Sequence, residues 1–304
     1  MSHAPEPGTD DPLSLHGVVP PTITAFHEDE SVNYEATAAH ARYVVDGGAH
    51  GVFPLGTNGE FPLLTGEEKR GVVEAVVESV DDVPVIAGVG APSTYETVAH
   101  AEHAESVGAD GLVVVTPYYY PLDHDAAVEH YRRVCEAVDL PVYVYHIPSK
   151  TGNSLSLDTL DDLAEIPNLA GLKDSSKDVP WLGQAIDAHP ELTFLAGSDS
   201  LLLPGLQLGC TGMVSAVANA FPELVVSLYD AYDAGDVERA RELQSDVYAI
   251  RDALKGGSYM AGVKTTLDVL DLGFSPGPLR SPLRKMNESD RAALESDLRA
   301  LDML

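Results

Sequence analysis

Short, continuously apolar runs alternate with helix-patterned stretches eight times along this chain, and few folds can use that rhythm. The apolar runs lie at 18–25, 51–55, 83–87, 111–115, 141–145, 169–173, 192–196 and 212–216. Helical spacing occupies the gaps, at 34–46, 65–80, 93–107, 124–138, 157–165, 179–188, 200–208 and 221–234. Runs without polar alternation predict strands buried on both faces, hence a parallel sheet covered by helices. Eight such strands close into a barrel whose interior side chains can fill. The expected fold is therefore α/β, a (β/α)8 TIM barrel over 15–235. Helical patterns at 236–254, 258–270 and 288–301 predict a C-terminal helical extension, 236–304, packed on that barrel. Residues 1–14 are polar and acidic, without a basic start or apolar centre, and read as a disordered tail.

Charge narrows the partners. Of 304 residues, 18 are Lys or Arg and 48 are Asp or Glu, a formal charge of −30. So acidic a surface argues against nucleic acid and anionic membranes. No apolar run reaches the ~20 residues of a membrane helix. The acids recur in nearly every helix, a pattern that suits solubility in concentrated salt and reads as a halophile's cytoplasmic protein. Two distant cysteines, Cys135 and Cys210, form neither a disulfide framework nor a zinc spacing.

In barrel enzymes the chemistry sits at the C-terminal ends of strands. Here the sixth run ends in Lys173, within GLKDSS (171–176). An amine at the end of a buried strand is desolvated, which lowers its pKa and makes it nucleophilic toward carbonyls. It could instead extend its head into water. The second run ends in GTNGE (56–60), whose backbone N–H groups and Thr57 hydroxyl could hold a carboxylate, or make a plain turn. Tyr145, on the strand beside Lys173, could relay a proton or be a core tyrosine. TPYYY (116–120) puts an aromatic cluster on a loop, useful in a site or in an oligomer contact. Lys150 is a surface lysine or an anion contact. His100 and His103 share a helix, with no carboxylate–histidine set at strand ends to make a metal site. No phosphate loop or dinucleotide fingerprint is present, so no nucleotide cofactor is expected.

Taken jointly, GTNGE (56–60), TPYYY (116–120), YHIPSKTG (145–152) and GLKDSS (171–176) resemble the dihydrodipicolinate synthase / N-acetylneuraminate lyase superfamily. The resemblance covers about 18–284. It implies a (β/α)8 barrel in which Lys173 forms a Schiff base with a 2-oxo acid and Tyr145 relays protons. It implies that Thr57 holds the carboxylate and joins the relay, with Asn58 in place of a common second Thr. It implies that Tyr119 reaches a neighbouring subunit's site, and that Gly197 and Val214 line the pyruvate pocket. Homo-oligomers, usually tetramers, are the family habit.

The departures bear on substrate. Dihydrodipicolinate synthases carry YNVPSRTG, whose Arg grips the aldehyde partner's carboxylate; here Lys150 and His146 replace the Arg and Asn, and Lys is not equivalent to Arg at a bidentate site. The Lys173-Asp174 pair and the residues after GTNGE resemble aldolases of 2-keto-3-deoxy sugar acids. The expected reaction is Schiff-base cleavage of 2-keto-3-deoxygluconate or its 6-phosphate to pyruvate and glyceraldehyde or its 3-phosphate, with no metal and no cofactor. The rivals are dihydrodipicolinate synthesis, 4-hydroxy-2-oxoglutarate cleavage, a metal-dependent aldolase and a non-catalytic 2-oxo-acid binder.

Overall fold

The computed structural model describes residue 13 and residues 15–304; the rest of the acidic stretch lies outside the described residues. Seven strands form one parallel sheet: β1 (Gly17–Val18), β2 (Ile86–Gly88), β3 (Gly111–Val115), β4 (Val142–His146), β5 (Leu169–Asp174), β6 (Thr193–Ala196) and β7 (Gly212–Met213). Their spatial order is β1-β7-β6-β5-β4-β3-β2. The sheet curls on itself, and residues 50–54 close the gap between its edges. His50 N and Phe53 N donate to the carbonyls of Val18 and Pro20, and Thr22 N donates back to Phe53 O. On the other side Val52 N donates to Pro84 O, while Ile86 N and Gly88 N donate to Val52 O and Pro54 O. The (β/α)8 barrel expected from the alternation is thus present.

The second run differs from expectation in being a single bridge, Val52 to Val85, not a full strand. The first and third strands are also shorter than the apolar runs that announce them. Proline is the physical cause. Pro20, Pro21, Pro54 and Pro84 stand in these segments and can accept but not donate ladder hydrogen bonds. The eighth run contracts likewise to Gly212–Met213, and residues beyond it turn into a short 3-10 helix, Val217–Asn219.

Helices follow where capping residues allow them. In the helix Gly66–Val77, Thr65 and Glu68 form a reciprocal capping box. Ser93 caps the helix Thr94–Ser106, Asp123 caps His124–Cys135, Ser156 caps Leu157–Ala164, and Asp178 caps Val179–Ala188. Three further helices, Val237–Ala253, Tyr259–Leu270 and Glu288–Ala300, complete the chain. They bury Leu243, Val247, Leu267 and Leu294 in one apolar cluster with Val18 and Met213 of the barrel. The extension is also tied to a barrel loop: Gln244 accepts from Leu203 N and donates to Asp199 O, both at 2.9 Å. Among the described residues no helix is long and apolar enough to cross a membrane.

Candidate active site

A cavity of about 240 Å³ opens at the C-terminal ends of the strands. Lys173 forms its floor. It is next to last in β5, 3 % exposed, and its register partner on β4 is Tyr145. Because the strands are parallel and in register, both side chains project into the barrel mouth together. The Lys173 Nζ lies 3.3 Å from the centre of the Tyr145 ring and 5.9 Å from that of Phe53. Nζ donates to Ser175 Oγ at 3.2 Å, and Ser175 in turn donates to Gly197 O at 2.8 Å. The serine hydroxyl therefore presents a lone pair to the amine. Gly197 is needed for this approach, since a Cβ there would sit 2.2 Å from Ser175 Oγ.

Burial pushes the Lys173 amine below its ordinary value, against upward pulls from Tyr145, Asp174 and Asp199. For Tyr145, burial pushes the phenol upward, but the Lys173 charge and hydrogen bonds from Thr57, Lys173 and Ser175 outweigh it and hold the phenol below its usual range. The two groups titrate as a pair. Thr57 Oγ1 stands 3.2 Å from the Tyr145 hydroxyl, giving a Thr57–Tyr145–Lys173 cluster. Thr57 and Asn58 begin a 3-10 turn that follows the Val52 bridge, and both line the cavity.

One residue further along the same two strands, Asp174 and His146 fasten the pair. Leu155 N–H donates to His146 Nε2 at 3.2 Å, so Nδ1 carries the proton and donates to Asp174 Oδ1 at 3.0 Å. Ser176 N and Oγ also donate to Asp174. The ends of β4 and β5 are thereby locked where the reactive side chains leave them.

Of the residues expected from the sequence, the cavity brings together Lys173, Tyr145, Thr57, Asn58, Lys150, Gly197 and Val214. Tyr119 is not among them. It is 84 % exposed, with a left-handed φ of 85°, and stacks edge-on against Tyr120 at 5.0 Å. His100 and His103 face single carboxylates, Glu96 and Glu74, away from the cavity. Among the described residues no group of three or more metal-ligating side chains gathers.

Sequence reasoning missed the contribution of the C-terminal helices. Arg251 and Tyr259 line the cavity, and the Tyr259 hydroxyl donates to Asp199 Oδ2 at 2.7 Å. Periodicity marks these helices as packing elements and says nothing of which end faces the barrel mouth. Ser175 and Asp199, by contrast, sit in the strand-end segments that the barrel rule singles out.

The comparisons with known proteins agree with this geometry. The model of the "Dihydrodipicolinate synthetase family" matches residues 14–301. A DapA-like lyase of Halobacterium salinarum is 72 % identical over 304 residues, 100 % of this chain and 99 % of that one. A 4-hydroxy-tetrahydrodipicolinate synthase of Methanopyrus kandleri is 37 % identical over 296 residues, covering 96 % and 98 %. The crystal structure of dihydrodipicolinate synthase from Aquifex aeolicus superposes with a TM-score of 0.91 at 33 % identity, over 95 % of this chain and 99 % of that one. The structure of YagE, a prophage protein of the same family from E. coli K12 in complex with pyruvate, gives a TM-score of 0.91 at 31 % identity, over 95 % and 99 %.

Proposed function

The chain belongs to the dihydrodipicolinate synthetase family, a family of Schiff-base lyases, and from that premise we propose that it cleaves a 2-keto-3-deoxy sugar acid, 2-keto-3-deoxygluconate or its 6-phosphate. The observation that carries the covalent scheme is the Lys173 amine, sealed at 3 % exposure, with a hydroxyl and aromatic faces around it. Such an amine is neutral at lower pH than an exposed one and attacks carbonyl carbon.

In the proposed reaction Lys173 Nζ adds to the C2 carbonyl, and loss of water leaves an iminium. The iminium draws the electrons of the C3–C4 bond toward nitrogen as that bond breaks. Tyr145 takes the proton of the C4 hydroxyl, which leaves as the aldehyde. The enamine regains a proton at C3, and water releases pyruvate from the lysine. Thr57, 3.2 Å from the tyrosine hydroxyl, passes the proton on. Backbone N–H groups at Thr57 and Asn58 hold the C1 carboxylate, beside Gly197 and Val214. Lysine itself is the electron sink, so the scheme calls on no cofactor.

Tyr119 takes part from a second copy of the chain. Its exposure and left-handed backbone suit a residue held out from its own subunit and support at least a dimer, with the tetramer following from the family habit. The −30 charge supports a cytoplasmic enzyme of a saline cell.

A second reading is favoured by the names of several relatives: condensation of pyruvate with aspartate semialdehyde, as in 4-hydroxy-tetrahydrodipicolinate synthase. Lys150 in place of the expected Arg supports the sugar-acid reading over it. Assaying both reactions in parallel separates them. Pyruvate released from the sugar acid, with no product from the semialdehyde, is the expected result; the converse overturns the substrate assignment and leaves the Schiff base intact.

A further inference from the structure

The cavity is richer in bases than the chain as a whole. In a chain with 48 acids and 18 bases, its wall gathers four bases, Lys150, Lys173, Lys177 and Arg251, and one carboxylate, Asp199. That carboxylate is already engaged. It is 4 % exposed and accepts from Ser215 Oγ at 2.5 Å, Val217 N at 3.3 Å and Tyr259 OH at 2.7 Å. It cannot neutralise the other groups. Among the described residues Lys150 and Lys177 have no ion-pair partner within 4 Å, and Arg251 has only Asp252, at 3.8 Å, which also pairs with Lys255.

The placement of these bases follows from topology. Around the closed ring the order is β1, the 50–54 segment, β2, β3, β4, β5, β6, β7. Thr57 and Asn58 rise from the second position. Lys150 follows β4, Lys177 follows β5, and Arg251 comes from the Val237–Ala253 helix, whose Gln244 is fastened to the loop after β6. Those are the fifth, sixth and seventh positions of the ring, whereas the Thr57 turn follows the second. Lys177 lies three residues past the end of β5 and is exposed, whereas Lys173 within the strand is buried. A substrate joined to Lys173, with its carboxylate at Thr57, directs its other end at these three bases.

We infer that Lys150, Lys177 and Arg251 form a subsite for a phosphate monoester on the terminal carbon of the aldehyde half of the substrate. This rests on the aldolase reading above and chooses the phosphorylated substrate within it. Three bases from three separate elements match a dianion better than a single carboxylate, which one of them would satisfy. A guanidinium can grip two phosphate oxygens at once while ammonium groups supply point charge. Few carboxylates at this rim also means little repulsion of an anion by an otherwise acidic surface.

The test compares kcat/KM for the six-carbon 2-keto-3-deoxy acid with and without its terminal phosphate. The full-length protein should prefer the phosphorylated form by about tenfold or more. Arg251→Gln and Lys177→Gln should each lower that ratio by roughly fivefold or more, with Arg251→Lys recovering part of it. Inorganic phosphate should compete with the phosphorylated substrate, less well in the variants. Equal turnover of both forms, with a ratio the variants do not move, overturns the subsite and leaves the aldolase standing. Preference for an aldehyde ending in a carboxylate also overturns it. Turnover of neither form overturns the subsite and the sugar-acid reading together.

Discussion

Two lysines of this chain are buried to nearly the same degree, and their surroundings give them opposite uses. Lys173 is 3 % exposed and Lys264 is 4 % exposed. Burial lowers the pKa of both, Lys264 to about 8. Lys264, in the Tyr259–Leu270 helix, is fully engaged. It pairs with Glu60 at 2.7 Å, donates to Pro278 O at 2.9 Å and lies 4.4 Å from the Phe26 ring centre. Glu60 also accepts from Arg280 N at 2.9 Å, so this knot joins the GTNGE turn to the C-terminal segment. Lys173 has no carboxylate on its amine. It faces a serine hydroxyl, a tyrosine ring and an open cavity. Desolvation alone does not make a lysine reactive; desolvation with an empty side and no partner charge does.

The contrast can be broken at its reactive end first. Lys173→Ala should remove turnover by about 10³-fold or more, read in a pyruvate-release assay, because the other lysines lining the cavity, Lys150 and Lys177, are exposed and lack its desolvation. Lys264→Ala scored the same way should lose activity only as far as it loses folded protein. Tyr145→Phe removes the proton relay but keeps the ring beside the amine. It should lower kcat by about 10²-fold or more while the pyruvate imine still forms. Normal turnover in that variant would place the relay elsewhere.

At the structural end, Lys264→Met leaves Glu60 buried without its cation. It should cost about 3–5 kcal/mol of stability, measured by denaturant unfolding. Pairing it with Glu60→Gln should recover most of that loss, because neither charge is then stranded. Equal loss in the single and double variants would mean that the pair is not what joins the turn to the extension. The smallest effect is in alkali. Lys264 holds its proton less well folded, near pH 8, than unfolded, near the ordinary 10.5. Between those values the unfolded chain binds more protons, so this group's contribution to stability rises with pH. Relative to Lys264→Met/Glu60→Gln, the wild-type unfolding midpoint should therefore climb from pH 8 to 10.5. A flat difference would contradict the depressed amine.

Much of this was legible in the residues. The eight-fold alternation marked the barrel, and the strand-end rule led to Lys173, Tyr145 and Thr57, which the structure gathers in one cavity. What escaped was set by tertiary contact. Prolines trimmed the strands around Val52, although the apolar run there looked like any other. Arg251 and Tyr259 reach the cavity because Gln244 and Asp199 fasten their segment, a link across 45 positions that no local pattern announces. The ion pair of Lys264 with Glu60 is more remote still in sequence. Tyr119 is the converse case: its motif is plain in the sequence, yet its side chain lies on the surface, outside the cavity.

The most direct test of the central claim is the intact mass of the protein after incubation with pyruvate and borohydride in concentrated salt, followed by peptide mapping. The account predicts one reduced pyruvate adduct per chain, carried by the peptide containing Lys173 and absent from Lys173→Ala. An adduct on Lys264 or another lysine, or no adduct on the folded protein, would contradict it.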